Sequence, residues 1–565
     1  IVIVSKKGRF GQRTRVHFTN SITVGDKPDL GYFPVISGAG YAGLERRLFD
    51  NGYYNGLIDD KTRYPPLSQG VEIMLKQRLG LLPAADAASL LDQLQQNDIR
   101  TDIRRYFLQN RVNQQYAANA SGGTDKFNYY CSLGYDHNRS NSVGEDYSRL
   151  TIRLEDSWKP VKNLELNGYV VYTKTDTRDN NINYMYMLPT GEGGRVAPYT
   201  RLADANGKAL PIPWGYRMEY VDTISQPGLL DWHYRPLDEL HYSDLSYRQS
   251  DTRLGAGVKY RPLAGMVAEI KYQYEKGMVN NLYYNSLQTY LTRNLVNQYM
   301  FSNASGPVYP VPPGGIADFG TNELGAWNLR GQLSFNRNAK KYSVALFTGF
   351  EIREVNVDVS LNRKYGYDPA VNSLNRNIDY NTKFSLRPFG LAPVPDNDLL
   401  SGTLNRYVSY FAKLGYIYKN RYSFSASGRV DESNFFGVKA NRRWVPLWSA
   451  GLGWELSNEA FYGIAWLPYL KIRATYGYNG NTNNNATAFA TIRYVSPGAS
   501  SLVAAPYAQI VSPPNPALRW EKIRIATIGA DFENRRGSFG GSLEYYRKTG
   551  LDLISQVTVD PTTGF

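Results

Sequence analysis

Short and long connections alternate along this chain, and few folds allow that. Tight links at 159–163 (KPVKN), 261–266 (RPLAGM), 336–341 (NRNAKK), 419–421 (KNR) and 533–538 (ENRRGS) alternate with excursions at roughly 23–115, 174–251, 276–325, 352–406 and 479–520. Between them run stretches in which apolar and polar residues alternate. Over 422–430, Tyr422, Phe424, Ala426, Gly428 and Val430 fall on one face, and Ser423, Ser425, Ser427 and Arg429 on the other. A period of two is the mark of a strand with one apolar face. The same pattern recurs at 127–135, 164–173, 253–260, 327–335, 342–350 and 470–478, and about fifteen candidates can be placed. Most approach the 9–11 residues that a tilted strand needs to cross a bilayer, whereas soluble sandwich strands run about five or six. A soluble sandwich has no reason to gather its long loops at one end. An outer-membrane barrel does, because its turns are short in the periplasm and its loops long outside. The expected fold is therefore all-β: a large antiparallel transmembrane β-barrel. The exceptions are mild, with shorter outer loops at 136–148 and 431–443 and a longer inner turn at 458–469.

Composition agrees. The 565 residues contain no low-complexity linker, no apolar run of about 20 residues, 46 Tyr and 51 Gly, and the mean hydropathy is −0.45. A barrel wall averages out as polar because only alternate residues meet lipid. Cys131 is the single cysteine, which excludes an internal disulfide framework, and His17, His137, His233 and His241 have no zinc-ligand spacing. The formal charge of +14 is spread thinly, without a basic cluster interleaved with stacking aromatics. It suits turns and loops beside an anionic membrane better than nucleic acid. The pairs Gly193-Gly194 and Gly314-Gly315 lack the strand-to-helix setting of a phosphate loop, and no nucleophile elbow is present. Neither an enzyme nor a cofactor is expected. Asp59-Asp60 and Asp176/Asp179 lack the alternation of a calcium loop and read as solvated carboxylates. One helix is expected over 84–108, from the spacing of Leu90, Leu91, Leu94, Ile99 and Ile103 after Pro83.

Several motifs go beyond generic barrel physics. Ile1-Val2-Ile3-Val4-Ser5-Lys6-Lys7-Gly8 resembles the end of the plug domain in SusC/RagA-like TonB-dependent transporters. Ser121-Gly122-Gly123-Thr124-Asp125-Lys126, followed by Tyr129-Tyr130 and Ser132-Leu133-Gly134-Tyr135, is similar to a hairpin of that family. So are the run from Tyr410 through YFAKLGYIYKNRYSFSASGRVDESNFFG, the stretches Trp444-Val445-Pro446, 453–459 (GWELSNE), 470–477 (LKIRATYG) and 515–522 (NPALRWEK), and Glu544-Tyr545-Tyr546-Arg547-Lys548. Together they span the chain in order. Ser142-Val143-Gly144, the loose DESNFFG at 431–437 and the absence of a tryptophan after Asp102 depart from the pattern.

The resemblance implies a barrel of about 22 strands filled by an N-terminal plug, of which about fifteen strands lie here. On that reading residues 1–14 are the end of the plug, and residues 15–565 are a partial barrel whose last strands lie beyond Phe565. It implies an outer-membrane protein that imports an oligosaccharide or oligopeptide together with a SusD-like surface lipoprotein, energised by TonB–ExbB–ExbD through the plug side. A TonB-dependent receptor for an iron chelate or corrinoid, or a non-transport surface β-protein, are the alternatives.

Aromatic residues are the ligand candidates. Tyr407/Tyr410, Tyr416/Tyr418 and Trp444/Trp448 sit near strand ends, where an aromatic girdle is expected. Tyr184, Tyr186, Trp214 and Tyr216 lie inside a long loop and are the better candidates for binding. Trp232 is the weakest, because Trp232-His233-Tyr234-Arg235-Pro236-Leu237-Asp238-Glu239 looks like a structural signature of the family.

Overall fold

The alternating segments fold as their period demands. The computed structural model describes residues 7–32, 34–180, 182–188, 196–375, 377–434, 445–481, 488–495, 507–515, 518 and 521–555. Fifteen strands form one sheet in chain order, each antiparallel to its neighbour. They are β1 (Arg15–Gly25), β2 (Arg111–Gly123), β3 (Phe127–Arg139), β4 (Glu145–Val161), β5 (Leu164–Asp179), β6 (Ser243–Tyr260) and β7 (Met266–Asn285), then β10 (Gly315–Asn338) and β11 (Tyr342–Tyr367), beyond the short hairpin β8 (Phe301–Asn303) and β9 (Gly306–Val308). The wall continues with β14 (Leu399–Tyr418), β15 (Tyr422–Ser433), β16 (Val445–Glu455), β17 (Tyr469–Asn481), β20 (Glu521–Glu533) and β21 (Gly540–Leu551). Two more short hairpins, β12 (Phe384–Ser385) with β13 (Leu391–Ala392) and β18 (Thr491–Val495) with β19 (Tyr507–Ser512), stand outside the sheet. The turns expected at KPVKN, RPLAGM, NRNAKK, KNR and ENRRGS all join adjacent wall strands. In the KNR turn, Lys419 and Asn420 take φ of 51° and 53°, the paired left-handed conformation of a tight hairpin.

Register gives the wall two chemically distinct faces. One row runs Leu166, Val258, Ile270, Gly331, Phe350, Tyr410 and Val430 across seven strands. Leu154, Val170, Leu254, Tyr274 and Trp327 form another row on that face. The opposite face carries Glu155, Tyr169, Gly255, Gln273, Asn328 and Arg353 in register. The apolar face meets lipid and the polar face lines the lumen.

Beyond Tyr274 and Trp327 the apolar face turns polar, at Lys174, Lys276, Glu323, Glu354 and Arg406. In β11 the polarity exchanges faces. Val344, Leu346, Phe350 and Ile352 point outward, but Val355, Val357, Val359 and Leu361 lie on the lumen side while Asn356, Asp358 and Ser360 face out. No register shift marks the exchange; the one irregularity of this pairing is at Gly315/Ile316. The strand therefore leaves the bilayer and continues upward with its greasy face turned inward. Its 26 residues extend roughly 85 Å, far beyond the ~25 Å apolar band. This corrects the expected loops at 276–325 and 352–406, whose flanks are strand.

Among the described residues, the loop layer above the wall carries eight short α-helices between its turns. It contains α1 (Gly38–Asp50), α2 (Asn55–Asp59), α3 (Gln69–Arg78), α4 (Ala84–Gln95), α5 (Ile99–Asp102), α6 (Met218–Thr223), α7 (Pro236–Tyr242) and α8 (Tyr290–Tyr299). The single helix expected at 84–108 is broken. Asp98 folds its carboxylate back onto the Arg100 amide (2.9 Å), capping a new start, and a π-turn follows over Ile103–Phe107. Leu91, Ile99 and Ile103 are buried as the spacing requires, but Leu90 is exposed.

Candidate functional site

Two regions gather polar and aromatic side chains: the lumen face of the wall, and the loop layer at its outer end. On the lumen face, β4 to β11 bring together Arg153, Glu155, Tyr169, Lys271, Gln273, Glu275, Arg330, Glu351 and Arg353 around a concavity of about 560 Å³, to which Lys7 adds an ammonium 2.7 Å from Glu155. Most charges here are matched. Arg153 pairs with Glu155, Arg253 reaches both Asp251 (3.1 Å) and Glu275 (3.0 Å), and Lys271 lies 3.0 Å from Glu269. Tyr169 crosses two strands to donate its hydroxyl to Gln273 Oε1 at 2.7 Å. It can do so because position 255 is glycine: a Cβ there would run into the Tyr169 ring. The result is a hydrated, hydrogen-bonding channel wall of nearly balanced charge.

In the loop layer the aromatic candidates separate. Trp214 and Tyr216 join Tyr64, Tyr220, Trp232, Tyr234 and Tyr290 in one cluster, with Tyr64 stacked on Tyr220 (4.3 Å between centroids), Tyr216 against Trp232 (5.2 Å) and Trp214 against Tyr234 (5.1 Å). Trp214 and Tyr234 also touch a second core, built around Ile99, Ile103, Phe107 and Met187. Tyr184 packs on that second core, and Tyr186, on the same turn, is 57 % exposed. Trp232 is buried, and its indole N–H donates to Asn294 Oδ1 (2.9 Å). Tyr64, Tyr220, Tyr234 and Tyr290 were not singled out from sequence. They lie up to 226 positions apart, and nothing in the local sequence marks them as neighbours.

Buried polar groups tie the layer together. Arg217 is fully buried and donates to the carbonyls of Leu57 and Ile58, while its own amide donates to Tyr64 O (2.8 Å). Glu72 of α3 accepts the Met218 amide (2.9 Å), and burial pushes its carboxyl up to about 7. Glu239 of α7 accepts the Tyr290 amide (2.7 Å) and burial raises it likewise to about 7. Tyr199 donates to Glu45 and accepts the Gly70 amide. Burial works to raise Asp231, yet hydrogen bonds from Arg235 and His233 hold it well below the usual carboxylate range. The contacts of Arg217, Glu72, Glu239 and Tyr199 join segments far apart in sequence, so the loops form one folded body.

Of the girdle pairs, Tyr416, Tyr418 and Trp448 lie on the lipid face. Tyr407 does not: it pairs with Arg353 in the lumen row, three residues and hence the opposite face from Tyr410. Trp444 lies outside the described residues, as do the run at 1–6, Gly193-Gly194 and Phe565.

Comparison with known proteins gives a consistent picture. The family model "TonB dependent receptor-like, beta-barrel" matches residues 189–565. TonB-dependent receptor P26 of Formosa agariphila is 22 % identical over 371 residues, covering 62 % of this chain and 36 % of that protein. TonB-dependent receptor SusC of Bacteroides thetaiotaomicron is 32 % identical over 169 residues, 29 % of this chain and 17 % of that protein. Among solved structures, the RagAB peptide importer in its closed-closed state aligns with 99 % of this chain and 57 % of that one, at a TM-score of 0.69 and 16 % identity, a likeness of fold. The chain thus spans about a third of P26 and just over half of the RagAB chain.

Proposed function

The chain belongs to the TonB-dependent receptor-like β-barrel family, an outer-membrane family of receptors rather than enzymes, and from that premise we propose that it forms the wall and outer vestibule of an importer for an oligosaccharide or oligopeptide. The observation that carries this reading is that one wall has a polar lumen face, and that the long connections leaving its outer end fold into an aromatic-rich layer. Aromatic faces and matched hydrogen-bonding groups suit neutral or zwitterionic chains better than a highly charged chelate. In this reading residues 1–14 are the end of the plug and residues 15–565 are barrel. Energy enters from TonB–ExbB–ExbD on the plug side, and a SusD-like lipoprotein covers the loop layer from outside. Exposed Tyr186 is the first candidate for cargo contact; Trp214 and Tyr216 shape the vestibule from within the cluster.

The full-length transporter, expressed with its neighbouring genes, tests the proposal. Calorimetry with oligosaccharides and oligopeptides should find micromolar or tighter binding of one class, and copurification should recover a lipoprotein. Tight binding of an iron chelate with no lipoprotein would overturn it in favour of a chelate receptor.

A further inference from the structure

The lipid face of the wall carries a notch that the rows of register explain. Tyr416, Phe424, Leu452, Ala474 and Ile528 follow one another across β14 to β20, and one rung nearer the periplasm come Tyr418, Tyr422, Trp454 and Ile472. Ala474 is the small member of its row, so the sheet is hollow there. The hollow measures about 360 Å³ and is walled by Tyr416, Phe424, Leu452, Trp454 and Ile472. Its periplasmic rim is fixed in place: Glu459 of the inner turn accepts from Tyr422 Oη (2.6 Å), Trp454 Nε1 (3.1 Å) and Arg421 Nη1 (3.0 Å). A groove whose edge is locked by three hydrogen bonds keeps its shape without an occupant.

Cations stand next to this rim. Lys419 begins the turn between Tyr418 and Tyr422, its ammonium 5.3 Å from the Tyr418 ring centroid, and its amide donates to Lys341 O (2.7 Å), which sets the two turns side by side. Glu459 is bonded by Arg421 and also feels the charge of Lys419, but among the described residues neither Lys341 nor Lys419 makes an ion pair within 4 Å. An apolar groove near two ammonium groups without a close ion pair matches one kind of molecule in this leaflet. We propose that this face holds an anionic glycerophospholipid, with one acyl chain in the groove under Leu452 and Ala474 and its headgroup phosphate against Lys341 and Lys419. The inference is independent of what the transporter imports.

Native mass spectrometry of the full-length protein, offered phosphatidylglycerol or phosphatidylcholine in detergent, tests it. The wild type should retain phosphatidylglycerol in preference. K341A and K419A, both on exposed turns, should each lower its retention about fivefold, the worth of one cation at an anionic surface, and leave phosphatidylcholine unchanged. A474F, which fills the hollow with another apolar side chain, should lower retention of both lipids, with heat-dependent gel mobility reporting that its barrel is folded. Equal retention of the two lipids by the wild type, or lysine variants that bind like the wild type, would overturn the proposal.

Discussion

The wall and the loop layer are made by different physics, although they belong to one chain. In the wall few residues are buried, and order comes from backbone ladders whose register sets two faces. In the loop layer Arg217, Tyr199, Phe107, Ile99 and Leu202 are completely enclosed, as in a globular protein. The wall has to be continuous and hydrated; the layer has to hold a shape. The long excursions are thus not tethers between strands but a folded layer with buried cores of its own.

Damage to the layer should therefore leave the wall intact. The largest effect is expected from Trp232→Ala, which removes a buried indole and its bond to Asn294 and should cost ~3–5 kcal/mol within the layer. Limited proteolysis should then cut between 180 and 242, while the barrel keeps its heat-dependent gel mobility. Arg217→Met should follow, at ~2–4 kcal/mol, because it strips donors from the buried carbonyls of Leu57 and Ile58; hydrogen exchange should show 55–64 losing protection.

In the wall, Gly255→Ala should displace Tyr169 from Gln273 at ~1–3 kcal/mol, seen as a lower unfolding temperature of the barrel with the loop layer still protected. The mildest change is with pH. Glu72 and Glu239 have folded values of about 7, raised above 4.5. A raised carboxyl binds more protons folded than unfolded, so its stabilisation is present at pH 4.5 and falls away as pH rises toward 7. The layer should accordingly resist proteolysis better at pH 5 than at pH 8, and Glu72→Gln should flatten that difference while the wall shows none.

How much of this could be read from the residues follows the same division. The wall was legible because lipid on one side and water on the other impose a period of two, and the KNR and NRNAKK turns punctuate it. The tall upper strands were not: in β11 the apolar residues pass from 352 to 355, an odd step, so the alternation reads as broken where it has only changed face. In the layer, α1 buries Gly38, Ala42, Glu45 and Phe49, a stripe at helical spacing in which Phe49 is the one large apolar residue, too little to stand out by inspection. The aromatic cluster was partly legible, since Trp214 and Tyr216 stand out within one loop. Tyr64 and Tyr290, which join the cluster through Tyr220 and Tyr234, are supplied by other loops, and only the fold brings them near.

The central claim is that register divides the wall into a lipid face and a water-lined face beneath a separate folded layer. Single cysteines at Leu154, Glu155, Tyr169 and Val170, introduced with Cys131 replaced by serine, test it directly in the full-length protein. A membrane-impermeant maleimide should label positions 155 and 169 and spare 154 and 170, and a lipophilic maleimide should give the reverse. Equal labelling of neighbouring positions by either reagent would contradict the account.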